Sequence, residues 1–392
     1  MRMPRARSRW SAVRMLALAA LALAAMAAWP AQNPDTKQKE IDWEGKNKGK
    51  KEKTQTLEPL RELPLAVVGE TRQLAFHVTP LSTKGLLSQQ VRDALRELSR
   101  QASGETVLHI RAFVAGSGDL RRVRDLVSQT FSERRQPLPS LSLVQTGMLP
   151  LVGAQVVLEA ETTARKEVNP HGLAWISGRV ASSEDPMGPV APLTARSLAA
   201  LRQAVGAAGA EPRDVLRVTC FFSSLENLAA SRALVEAEYP KAALDYIQAK
   251  RAPDAALAAC EAVARLPRDP GSRLRLLDAD AGSRDPGESQ VALVAAPRVA
   301  LTGSQVSFGY EEKDSQLAFA RLRGALEQAG ASIRDVACAH YYPLAAGLAG
   351  QVRKIRAEFF DPAQGPAGTL LVFESLPSLD AGFAVDAVAA MD

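Results

Sequence analysis

The stretch GAEPRDVLRVTCFF, residues 209–222, returns as GASIRDVACAHYYP at residues 330–343. The two align without a gap, Gly209 with Gly330, Asp214 with Asp335 and Val215 with Val336. Each comes after an Ala- and Leu-rich run, LAALRQAVGAAG or FARLRGALEQAG, that predicts a helix ending at its glycine. The residues after Asp-Val alternate toward a strand.

A helix pattern comes next, and here a third copy enters: DLRRVRDLVSQTF at 119–131, NLAASRALVEAEY at 227–239 and GLAGQVRKIRAEFF at 347–360. The apolar positions match as Leu120, Leu228 and Leu348; Val127, Val235 and Ile355; Phe131, Tyr239 and Phe359. Their i, i+7, i+11 spacing is one helix face. After each helix the pattern predicts a strand closing near a proline (Pro150, Pro253, Pro377) and a last strand: AQVVLEAETTA, LAACEAVAR or FAVDAVAAM. Before each first helix an apolar hairpin is predicted, in LPLAVVGETRQLAFHV, in GLAWISGRV and in VALVAAPRVALTGSQV. The unit is β-β-α-β-α-β-β, repeated three times, with helices on one face of a mixed sheet, an α+β class.

Composition fits a globular chain: 392 residues, 46% hydrophobic and 23% charged. Residues 1–27 read as a signal peptide, with five arginines, an apolar run from Met15 to Ala28 and an A-x-A site at Ala25-Met26-Ala27. The run is shorter than the roughly 20 residues a span needs, so the reading is a cleaved signal with no stable transmembrane segment afterwards, an uncleaved N-terminal anchor being the alternative. Residues 28–58 read as a charged tether, too poor in apolar residues to fold alone. The predicted destination is periplasmic or extracellular.

Residues 1–54 hold twelve Lys and Arg against five Asp and Glu, which leaves the remainder at −2 although the whole chain is +5. The basic balance therefore sits outside the folded part, and a nucleic-acid partner loses its footing. Only three cysteines occur, Cys220, Cys260 and Cys338, with no disulfide framework, and Cys220 and Cys260, within apolar runs, are read as buried small hydrophobes. The four histidines show no metal-ligand spacing, and no Walker loop, GxSxG or GxGxxG occurs. Neither metal nor cofactor is expected.

With its Ser-Gly or Thr-Gly turn, its D-V-x-x-x-T-x-F-F strand and its E-A-V-A ending, the unit resembles the Rid/YjgF (RidA-like, reactive intermediate/imine deaminase) family. Ser177-Gly178, Asp214 to Phe222, Leu228 to Tyr239 and Glu261 to Ala264 carry the resemblance best. The repeats fall at 59–165, 166–285 and 286–392, the first degenerate, with His77-Val78 at the glycine motif. Members of that family are homotrimers of a chorismate-mutase-like subunit with a ligand cleft at each interface. The resemblance thus implies an intrachain pseudo-trimer, itself monomeric.

It also implies hydrolysis of enamines and imines such as 2-aminoacrylate to 2-keto acids and ammonia. There an arginine on the strand before the closing proline holds the substrate carboxylate, and a glutamate on the last strand positions water. Nine residues before Pro150, Pro253 and Pro377 stand Leu141, Leu244 and Gly368, none basic. The resulting expectation is a protein without the family's catalytic arginine that binds a small molecule or partner at inter-repeat clefts. Candidate ligand residues are Ser177, Gly178, Tyr246, Arg251, Glu261, Thr302, Gly303 and Asp386. The alternative is a deaminase with its cation re-sited to Lys241, Lys250 or Arg251.

Overall fold

A computed structural model describes residues 60–116, 118–279, 287–361 and 363–392. The predicted signal peptide and tether lie outside the described residues. In chain order the first elements are β1 (Ala66–Glu70), β2 (Leu74–Val78), α1 (Leu87–Gln101), β3 (Thr106–Ala115), α2 (Leu120–Glu133), β4 (Ser140–Thr146) and β5 (Val156–Thr163). Then come β6 (Leu173–Ser183), α3 (Val190–Ala207), β7 (Val215–Phe222), α4 (Leu228–Glu238), β8 (Ala243–Gln248), β9 (Ala256–Arg265) and β10 (Leu274–Leu277). The last are β11 (Val291–Val294), β12 (Arg298–Thr302), β13 (Gln305–Phe308), α5 (Glu312–Gln328), β14 (Val336–Pro343), α6 (Ala346–Phe359), β15 (Ala367–Leu370) and β16 (Ala381–Met391).

The fold is mixed α+β. Its strands form three sheets, ordered β2-β5-β3-β4, β10-β11-β6-β9-β7-β8 and β1-β12-β16-β14-β15, with β13 also on β16. Each sheet has a parallel pair, β3/β4, β7/β8 or β14/β15, whose crossover carries α2, α4 or α6. Parallel neighbours need such a crossover. Each is closed by an antiparallel strand, β5, β9 or β16.

Local chemistry sets the helix ends. Asp119 caps α2 by accepting the backbone N–H groups of Arg121 and Arg122, and Gly209 and Gly330 take φ of +75° and +79° just past α3 and α5. The helices press their apolar faces on one side of each sheet: Val123, Val127 and Phe131 in the first, Leu201, Val205 and Val235 in the second, Phe319, Leu322 and Ile355 in the third. The opposite sides of the sheets meet one another. Phe113, Phe221 and Phe373 come together there, at centroid distances of 5.8 to 6.3 Å.

None of the three predicted hairpins forms: the one that GLAWISGRV was to complete is replaced by the single strand β6, which pairs with β9 and β11. β1 pairs with β12 while β2 pairs with β5, and β11 pairs with β6 while β12 pairs with β16. The links are the 3-10 turn Thr71–Gln73 and the segment Ala295-Ala296-Pro297, neither with a residue at positive φ. A tight hairpin turn requires that conformation. The chain instead passes from one sheet to the next, and Thr71 donates its N–H to the Pro297 carbonyl where the two links meet.

The cysteine reading is also corrected. Cys220 and Cys260 stand directly opposite on β7 and β9, with Cα atoms 4.1 Å apart, and are joined as a disulfide under α3. Their 40-residue separation gave no hint, because only strand register brings them together. Cys338 is free and buried. Replacing both bridge residues by serine should lower unfolding stability by about 2–4 kcal/mol, measured as the urea midpoint of the oxidised wild type against the variant.

Candidate functional site

Where the three sheets face one another, one layer of the inward positions is polar. On β3, β7 and β14, Arg111, Thr219 and His340 hold matching places. Each is paired in register with an acid on the closing strand, Glu159, Glu261 or Asp386, and with a polar residue on the parallel partner, Ser142, Asp245 or Thr369. All nine are buried. One layer away along the strands, His109 pairs with Glu161 and Arg217 with Val263.

These groups neutralise one another across the sheets. Arg111 donates through Nε to Glu159 at 2.7 Å and through Nη2 to Glu261 at 2.5 Å, linking the first and second sheets. Arg217 pairs with Glu161, which also bonds His109 at 2.8 Å. Asp386 holds His340 at 2.7 Å, Tyr342 Oη at 2.8 Å and Ser142 Oγ at 2.6 Å, joining the third sheet to the first. A buried charge without such partners would cost several kcal/mol.

Ionisation states are set by the same contacts. Burial pushes the Glu161, Glu261 and Asp386 carboxyls up, but Arg217, Arg111 and His340 respectively outweigh it and hold all three below the usual range. Burial and Arg111 oppose the charged form of His340, yet Glu261, Cys338 and Asp386 prevail and raise it well above 6.5. Asp245 goes the other way: burial and the neighbouring Glu159 push it well above 3.8, which favours its neutral form. The layer is closed to solvent and serves as an ionic clasp.

Of the sequence-predicted positions, Glu261 and Asp386 lie in this clasp, not at an exposed sheet edge. Ser177 and Gly178 lie where β6 meets β15: Ser177 Oγ accepts the Gly368 N–H at 2.9 Å, and the Gly178 N–H donates to Thr369 Oγ1 at 3.0 Å. Thr302 Oγ1 accepts the Ala387 N–H at 2.8 Å. Gly303 abuts β4, where a Cβ would lie 2.6 Å from the Leu141 carbonyl oxygen. Tyr246 is apart, stacked on Phe222 in the helix-side core. Arg251 is apart as well, reaching Pro186 O and Met187 Sδ, while Lys250 donates to Leu344 O at 3.0 Å and Lys241 is exposed.

The junction of β4 with the Gly303 turn opens into a cleft of about 540 Å³. Leu141 and Leu143 form one wall, and Leu63 and Leu65 a strap beside them. Arg124 of α2 and Arg321 of α5 stand on it; none of Lys241, Lys250 and Arg251 does. A second cavity, about 900 Å³, lies between β10 and the end of α6, with Arg275 and Arg334 offset by Glu358 and Asp361. Among the described residues no His, Cys, Asp and Glu group is placed to hold a metal ion, and no helix is long and apolar enough to cross a membrane.

Sequence reasoning missed His109, Arg111, Glu159, Glu161, Arg217 and His340. The signal was present in TVLHIRAFVA, where two basic residues at i and i+2 share one face of an otherwise apolar strand.

No protein-family model and no curated protein matches the sequence. Among solved structures, a protein of unknown function of the conserved Rid family from Yersinia pestis is similar at 18% identity, covering 31% of this chain and 100% of its own, with a TM-score of 0.28. A member of the YjgF/YER057c/UK114 family from Mycobacterium tuberculosis matches at 20% identity over 30% of this chain and 99% of its own, with a TM-score of 0.23. TdcF from E. coli, solved with bound serine, matches at 15% identity over 30% and 94%, with a TM-score of 0.23. Rid/YjgF-like neighbours thus match part of the chain.

The clasp has a pH signature. Depressed carboxylates stabilise above their unfolded values near 4 and lose that contribution as pH falls through the folded ones, so melting at pH 3 should lie below that at pH 5.5. Asp245, raised by folding, costs stability as pH climbs past about 4. Asp245→Asn should therefore raise the melting temperature at pH 7 and leave it unchanged at pH 3.5, in paired calorimetric scans.

Proposed function

We propose that the chain is a Rid-like protein of three tandem units, 59–165, 166–285 and 286–392, closed as an intrachain pseudo-trimer. Its work is to bind a small molecule at an inter-unit cleft; it does not hydrolyse enamines. Support for the three units comes from the matching register of Arg111, Thr219 and His340 and from the strands that β1 and β11 lend to neighbouring sheets.

One observation carries the functional reading: Leu141 meets Gly303 beside a 540 Å³ cleft at the position where the resembled family would require a strand arginine. At the β6–β15 junction the corresponding place, Gly368, is met by Ser177 Oγ, and Thr369 lies against Gly178. Neither junction offers a strand cation to fix a carboxylate. The disulfide suits an oxidising compartment, so we propose export as well.

The test is ammonia and keto-acid release from enzymatically generated 2-aminoacrylate by the purified chain from residue 28. The expected rate equals the spontaneous one, and remains so in Lys241→Ala and Arg251→Ala variants. Turnover above background that falls in either variant would establish the re-sited deaminase in place of this reading.

A further inference from the structure

Resting on that reading, we infer that the cleft between β4 and the Gly303 turn takes an amphipathic anion, a carboxylate carried on an apolar body of roughly ten or more non-hydrogen atoms, with Arg124 as its counter-ion.

Charge decides the first half. Two guanidiniums and no carboxylate line the cleft, whereas in the larger cavity near β10 basic and acidic side chains balance. Arg321 is partly committed, donating to the Val306 carbonyl and lying over the Phe308 ring at 5.3 Å. The Arg124 side chain, exposed on α2, makes no hydrogen bond and no ion pair among the described residues. Its five donors are free for a ligand, and its planar fork suits a carboxylate.

Size and wall chemistry decide the second half. At about 30 Å³ per water, 540 Å³ is the room of on the order of eighteen waters, far more than a three-carbon acid displaces. The walls nearest the strand floor are Leu63, Leu65, Leu141, Leu143 and Val306, which favour an apolar body over a polar one. Gly324 on α5 adds width, since a Cβ there would meet nothing within 4 Å.

The same openness at Gly324 supplies a blocking variant. The experiment is isothermal titration of the full chain with decanoate, decanol and pyruvate, using wild type, Arg124→Ala, Arg124→Lys and Gly324→Trp, each first shown to melt as wild type does. Decanoate should bind wild type, weaken about tenfold or more in Arg124→Ala and less in Arg124→Lys, and be lost in Gly324→Trp. Decanol should bind more weakly than decanoate and be indifferent to Arg124→Ala. Equal decanoate affinity in wild type and Arg124→Ala, or no decanoate binding, overturns the inference. If pyruvate alone binds and Gly324→Trp abolishes it, the cleft remains a small-molecule site and only the assigned class fails. If every ligand that binds does so unchanged in Gly324→Trp, or none binds at all, the cleft reading falls with it.

Discussion

The arrangement of the three sheets depends on a set of charges that water cannot reach. Arg111, held between Glu159 and Glu261, and Asp386, held between His340, Tyr342 and Ser142, tie strands of different sheets together at the faces turned away from the helices. Apolar layers could have closed that space with less desolvation, so the clasp contributes orientation more than net energy. An ion pair has one good geometry; leucine against valine has many. The apolar strands tolerate the charges because each sits at an inward position and finds its opposite on its own or a neighbouring sheet.

The junctions between sheets differ in what fills them. Where β6 meets β15 and where the Gly303 turn meets β4, a glycine permits an approach that a Cβ would prevent, of the Thr369 side chain to Gly178 in the first and of the Leu141 backbone to Gly303 in the second. At the first, Thr369 and Ser177 interlock and fill the space. At the second, Gly324 has no side chain to fill the gap beside Leu141, and two arginines stand at its walls. Closely related local backbones thus yield one filled seam and one cleft, and the difference lies in the side chains that each junction brings together.

Features carried by local chemistry were legible in the sequence. The Leu120-Val127-Phe131 stripe, the Asp119 cap and the Gly209 and Gly330 helix ends each depend on residues within a few positions of one another. Long-range partners were not legible. Nothing near VALV at 291–294 says that it pairs with LAWI at 173–176 and not with the next strand in the chain. The same holds for the Cys220–Cys260 bridge, which depends on the β7–β9 register. Of the site, Gly303 was found through its motif, but Arg124 lies on a helix whose repeat pattern marked only the apolar face, and a polar position there looks like ordinary solvated surface.

The lending of β1 to the far sheet matters for how the molecule is made. Ala66–Glu70 finds its partners at Arg298–Thr302, so roughly 230 residues must be synthesised before the pairing can close. At about 5–20 residues per second, that is on the order of ten to fifty seconds during which an apolar strand has no edge to join. The third sheet cannot be finished as the chain emerges, since its outermost strand comes early and its central strand, β16, comes last. Vectorial synthesis thus delivers the two ends of one sheet at opposite ends of the process. For this chain, keeping a short hydrophobic edge from premature partners is part of the folding problem.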